Sequence, residues 1–125
     1  MTQELQYIVK MEPRFAPLEL IDVGAVADAV TDQWYNETLC EVDDHLVRLG
    51  VLHGEYHWHS HQGQDEFFYV VEGKLQIELD GHPTVELSAR QGFTVPQNLR
   101  HRPIAPERTV VLMIERAGVV PTGDG

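Results

Sequence analysis

Cysteine is almost missing from this chain: Cys40 is the only one in 125 residues. A single thiol excludes an internal disulfide and any zinc cage built from several thiolates. It makes a reducing, cytoplasmic setting the expectation. Cationic side chains are also scarce. Nine Lys and Arg stand against twenty Asp and Glu, for a formal charge of -11. Contact with phosphates needs clustered Lys and Arg, so nucleic acid is not an expected partner. Anionic membrane is disfavoured for the same reason. No apolar run approaches the roughly 18 residues that span a bilayer. Met1 to Tyr7 lacks a basic stretch followed by an apolar one, so no signal peptide is expected. Repeats, low-complexity tracts and linkers are absent as well, and the length fits one domain.

Histidine, by contrast, is concentrated. Four of the seven (His53, His57, His59 and His61) fall within nine positions. Imidazole is the commonest metal ligand and titrates near neutral pH. Around this cluster the chain reads as strands. Candidate runs are 45–53, 55–61, 66–71, 74–80, 84–87, 92–95 and 109–115. Leu75, Ile77 and Leu79 alternate with Lys74, Gln76, Glu78 and Asp80, the period of a half-buried strand. Asp80-Gly81 is hairpin chemistry, and Gly, Pro and polar pairs punctuate the other runs. The pattern suggests a sandwich or barrel. Ahead of it, Pro13 and Pro17 keep the first twenty residues extended and irregular. Asp22 caps a short helical turn through Ala25, Ala27 and Ala29. The last residues read as a loose tail.

Read as one strand, 55–61 places His57, His59 and His61 on the same face, with Trp58 and Ser60 on the other. Neighbours at i and i+2 sit about 7 Å apart, close enough for their rings to share one ion with bonds of about 2 Å. The first and third, about 13 Å apart, do not easily share it. Two ligands and one pocket-lining histidine are therefore expected. Glu66 returns beside this strand after a turn, in phase with apolar Phe68 and Val70. An inward carboxylate is costly unless paired or metal-bound. His101 offers a further ligand. The residues alone leave a metal site and a pocket feature both open.

The motifs then carry a resemblance. Gly54, His59-Ser-His61, Glu66 and Gly73 resemble the first motif of the cupin superfamily. Gly92-Phe-Thr-Val-Pro96-Gln-Asn98-Leu-Arg-His101 resembles the second. Over about residues 34–124 the chain is similar to small single-domain bacterial cupins described as mannose-6-phosphate isomerase-like. The resemblance implies an all-β fold, a cupin-type jelly-roll β-barrel over 34–117. An irregular or helical extension over 1–33 precedes it and a tail over 118–125 follows. It also implies a homodimer and one divalent transition metal (Fe, Mn, Ni, Zn or Cu) held by His59, His61, Glu66 and His101.

Four features depart from the family pattern. Asn98 replaces the usual glycine of Pro-x-Gly, Ala105 stands where the last Asn is usual, and Gly54 and Gly92 lie closer to their motif partners. Asn tolerates left-handed backbone better than most residues, so the turn is expected to survive. His57 stands where relatives commonly have an apolar residue. Facing the cavity it is a candidate acid-base group; otherwise it is pocket wall. Arg100 and Arg102 flank His101 and either attract an anionic substrate or pair with surface carboxylates. Phe67, Phe68, Tyr69 and Phe93 are expected in the core. Fold does not settle function. Two readings follow: a metal-dependent enzyme (isomerase, lyase or oxygenase) on a small carbonyl or sugar-like metabolite, or a non-enzymatic small-molecule binder with a structural metal. Mannose 6-phosphate itself is not adopted, because no phosphate nest or basic cluster stands out.

Overall fold

The computed structural model describes residues 6–118. The tail expected over 118–125 lies outside them beyond Gly118. The chain opens with β1 (Tyr7–Lys10), which pairs in parallel with β2 (Trp34–Val42). Between them the two prolines hold an irregular arm, tied to β2 by Arg14 N–H to the Thr38 carbonyl and Phe15 N–H to the Leu39 carbonyl, at 3.1 and 2.9 Å. Helix α1 (Val23–Asp28) starts where Asp22 accepts the Ala25 N–H at 3.0 Å, as a capping carboxylate should. One face of α1 buries Val26 and Ala27 against Tyr35, Leu39, Leu49, Val51 and Val110.

Six more strands follow: β3 (His45–Glu55), β4 (Glu66–Glu72), β5 (Lys74–Leu79), β6 (His82–Ser88), β7 (Gly92–Val95) and β8 (His101–Arg116). The hydrogen-bonded order is β1-β2-β3-β8-β4-β7, with β5 joining β8 and β6 joining β5. The long β8 holds the fold together. Its first residues pair with β5, and its second half lies between β3 and β4. One strand thus pairs with β3, β4 and β5 in a single eight-stranded sheet, and the result is an all-β jelly roll of the kind the resemblance implies. Leu75, Ile77 and Leu79 all point into the core, as their alternation requires. They pack there with Trp34, Leu52, Tyr56, Phe68, Val111 and Met113.

Gly73 makes the β4–β5 turn at φ 93°. A Cβ there would lie 2.5 Å from Thr109 Oγ1 and 2.8 Å from the Arg108 carbonyl, so no larger residue fits. Thr109 Oγ1 accepts the Lys74 N–H at 3.1 Å and locks the turn to β8.

Four expectations change. The run 55–61 is not a strand: only Glu55 belongs to β3, and 56–61 is irregular except for a single bridge from His59 to His101. The cause lies in the bulge between Leu52 and Gly54, where Gly54 turns to φ 116°. The run 45–53 accordingly continues to Glu55. The last strand begins at His101, not Thr109: Pro103 sits opposite Ile77 in the ladder with β5, and Pro106 falls where the β3–β8 ladder slips between Ala105 and Thr109. Finally, β2 is a nine-residue strand absent from the sequence reading. It is buried on both faces and shows little alternation.

Candidate metal centre

His59 and His101 exchange both backbone hydrogen bonds, each N–H to the other's carbonyl at 2.9 Å. A pair joined this way projects its side chains to the same side, and the two rings lie 4.4 Å apart between centroids. Residues 96–100 close over the other end. The Asn98 N–H donates to the His61 carbonyl at 2.9 Å, and the Gln97 N–H to Asp65 Oδ1 at 2.9 Å. These bonds draw His61 toward His59, with ring centroids 5.1 Å apart. Glu66 enters from the first position of β4, in phase with buried Phe68 and Val70.

His59, His61, Glu66 and His101 thereby meet as one buried group, with a ligand atom of each within 4.8 Å of the others. Glu66 Oε1 lies 3.6 Å from His61 Nε2 and 3.4 Å from His101 Nε2. Bonds of about 2 Å put adjacent ligand atoms of an ion about 3 Å apart, so a transition metal fits here with small adjustment. The tautomers suit it. The Nδ1 of His59 faces the His57 carbonyl at 3.0 Å, and that of His101 faces the Leu99 carbonyl at 2.8 Å. Each Nδ1 carries the proton, since a carbonyl only accepts, and Nε2 is left with a lone pair aimed at the centre. Glu66 Oε1 and His101 Nε2 are buried without a well-formed hydrogen bond, as expected of atoms meant for an ion.

The electrostatics agree. Burial pushes the His59 imidazole down to about 4, so it is neutral at physiological pH. Burial works to raise the Glu66 carboxyl, but the close approach of His101 and the neighbouring His61 and His59 outweigh it, and the group is lowered. Glu66 therefore presents a carboxylate.

The group borders a small cavity of about 30 Å³. His59 and Glu66 form part of its wall. Trp34, Leu52, Tyr56, Phe68, Pro103 and Met113 make the rest apolar, and Asn36 adds one amide. Trp34 and Tyr56 stack with centroids 5.0 Å apart and planes 14° from parallel.

His57 lies outside the group. Its side chain is exposed and stacked on Tyr56 at 4.2 Å, with its ring 5.4 Å from that of His59. Arg102 pairs with Glu78 at 2.9 Å and sits over the Trp58 ring at 5.5 Å, so it belongs to the surface. Arg100 is exposed.

Two charged residues beside the site are missing from the sequence reading. Arg48 is completely buried in β3, and Glu115 is 3% exposed in β8, directly opposite Glu66. Burial first, and then the Glu66 carboxylate, push the Glu115 carboxyl up to about 9, despite nearby Arg48. Burial also lowers Arg48, against the pull of Glu115 and Glu66. Both residues have a sequence signal: Arg48 is in phase with buried Leu46 and Leu52, and Glu115 with buried Val111 and Met113.

Comparison with known proteins agrees with this architecture. The family model described as "Cupin domain" matches residues 45–115. An uncharacterized Bacillus subtilis protein, YdbB, is 41% identical over 91 residues, which is 73% of this chain and 80% of that one. CurC of Streptomyces cyaneus, named a polyketide synthase, is 50% identical over 44 residues, 35% of this chain and 28% of its own. A crystal structure of a cupin-2 domain protein from Shewanella frigidimarina superposes with a TM-score of 0.73 at 29% identity, covering 78% of this chain and 94% of the other. With both motifs meeting at one buried His-His-Glu-His group inside a jelly roll, the chain belongs to the cupin family.

Proposed function

We propose that this cupin is a metal-dependent enzyme acting on a small, largely apolar carbonyl metabolite. One divalent transition ion (Fe, Mn, Ni, Zn or Cu) is held by His59, His61, Glu66 and His101. The observation that carries the reading is that two of the four, His59 and Glu66, stand in the wall of a cavity, where a ligand can reach the group. When bound, the metal supplies Lewis acidity toward a substrate oxygen.

The chain's own residues supply the rest. The stacked Trp34 and Tyr56, with Leu52 and Phe68, exclude water and offer a flat apolar face. The Asn36 amide provides the polar contact that fixes orientation. His57, on the exposed side of Tyr56, carries protons between solvent and the site. No Lys or Arg lines the cavity, so a phosphorylated sugar is not part of the proposal. The polyketide name of the Streptomyces relative supports an oxygenated, apolar substrate. A homodimer belongs to the proposal as well, supported by the exposed Leu18 and Leu20 of the N-terminal arm, surface that a second copy would cover. A reducing cytoplasm suits the free Cys40.

The second reading, a non-enzymatic binder, draws support from the ligand count. Four protein ligands are the number that closed structural sites use. Elemental analysis of tag-free protein comes first, followed by turnover assays with catechol and 1,3-dicarbonyl compounds. We expect about one equivalent of metal per chain, and turnover lost in His57→Ala with the metal retained. Tight binding of such compounds without turnover would favour the binder. Failure to bind metal even after loading would overturn both readings.

A further inference from the structure

The core holds a buried guanidinium. Arg48 is 0% exposed, among the largest fully buried side chains of the described residues. Desolvating a charge often costs more than its pairing returns, and packed hydrophobic residues commonly replace such pairs without loss. An arginine kept at such a position calls for an account beyond stability, and its contacts supply one.

Arg48 stands opposite Thr38 on β2 and Met113 on β8. Its guanidinium donates to Thr38 Oγ1 and to Asn36 Oδ1. On the other side, its Nε lies 3.1 Å from Glu115 Oε1. Glu115 is two residues beyond Met113, so it reaches Arg48 as a diagonal neighbour on the same face of the sheet. Glu115 is also the direct register partner of Glu66 on β4. Directly opposed residues of an antiparallel pair project to the same side, and both carboxyl groups are buried. A continuous row results: Asn36 on the cavity wall, Arg48, Glu115, and then Glu66 at the metal group.

We propose that Arg48 and Glu115 are positioning residues of the metal centre. Arg48 fixes Glu115, Glu115 backs the Glu66 carboxyl, and Arg48 ties the same brace to Asn36 on the cavity wall. Neither residue touches the ion. A carboxylate ligand has two oxygens and a free torsion, and a partner behind it decides which oxygen faces the metal. Asn36 is oriented by the same logic: Arg48 only donates, so the atom facing it is the amide oxygen, and the amide N–H group is the donor left to the cavity.

This inference rests on the metal reading above, and its test separates the two. Zn²⁺ affinity is measured on metal-free protein by competition with a chromogenic chelator, with far-UV circular dichroism as the control for folding. The variants are Glu115→Gln, Glu115→Leu and Arg48→Lys. Gln keeps an oxygen for Arg48 and an N–H donor for Glu66, whereas Leu keeps neither. Lys keeps the charge, but its compact ammonium lacks the fixed fork by which the guanidinium spans Asn36, Thr38 and Glu115. We expect Glu115→Gln to bind within about threefold of the parent, and the other two to lose about 10–100-fold, the range seen when outer partners of metal ligands are removed. A merely structural role would leave affinity unchanged in every variant that folds. Folded Glu115→Leu with parental affinity would overturn the proposal. Should that variant not fold, parental affinity in Arg48→Lys would overturn it instead. Parental protein that binds no Zn²⁺ would bring down the metal reading and this inference with it.

Discussion

Asn98 holds His61 in place: its N–H donates to the His61 carbonyl at 2.9 Å, while its side-chain oxygen accepts the Gly63 N–H at 3.2 Å. The residue does this from left-handed backbone, at φ 67°. The family pattern has glycine here, and Asn is the substitute that visits this region most readily. A β-branched residue would not, because its branched Cβ crowds the following carbonyl. Asn98→Val is therefore expected to destabilise the protein by about 1–2 kcal/mol and to weaken metal binding by loosening His61. Asn98→Gly keeps the backbone and loses only the bond to Gly63, so it should stay close to the parent in both. Urea unfolding with and without metal checks this. Equal stability of the Val and Gly variants would show that the left-handed turn does not matter.

The buried group makes folding and metal binding one equilibrium. An ion bound only by the folded chain stabilises it by about 2.7 kcal/mol at a hundredfold excess over its dissociation constant. His101 is 1% exposed and its Nε2 points at Glu66. Chelator should lower the melting temperature of metal-loaded protein, and His101→Ala should remove that response while melting near the chelated parent. Differential scanning calorimetry with and without chelator decides it. A parent indifferent to chelator after metal loading would mean that the four residues do not hold the ion.

Much of the fold is legible in the sequence where one strand face is wet. Lys74 to Leu79 alternates because Leu75, Ile77 and Leu79 face the core and their neighbours face out. The Asp22 cap is legible because its bond is local, three residues away. By contrast, β2 hides because α1 covers one of its faces and the barrel interior takes the other, which erases the period of two. The strand from His101 to Ala105 hides behind Pro103 and Pro106. The histidine run misleads in the opposite direction. Its spacing of two is real, but a bulge and one bridge, not a regular strand, bring His59 and His61 together and leave His57 outside. The pair of Arg48 and Glu115 is half legible. Each lies in phase with core residues, yet their meeting depends on the register of β3 with β8, which no local pattern states.

Titration of the metal-free protein gives the last expectation, and two groups act with opposite sign. Burial and the Glu66 charge raise Glu115 to about 9, against an ordinary carboxyl near 4.5. The folded state then keeps a proton that the unfolded chain has released, so stability is present at low pH and is lost as pH rises toward 9. His59 works the other way. Burial depresses it to about 4 from 6.5, so the unfolded chain takes up the proton first and stability is lost as pH falls from 6.5 toward 4. Between pH 4.5 and 6.5 the two slopes oppose each other, and stability should be nearly flat. Above pH 7 only Glu115 remains, and stability should fall by up to about 1.4 kcal/mol per pH unit. Urea unfolding of metal-free protein at pH 5, 6, 7, 8 and 9 should trace this plateau and decline. Glu115→Gln has no proton to lose and should stay flat from pH 7 to 9. An equal decline in that variant would assign the slope to another group and remove Glu115 as the proton holder beside Glu66.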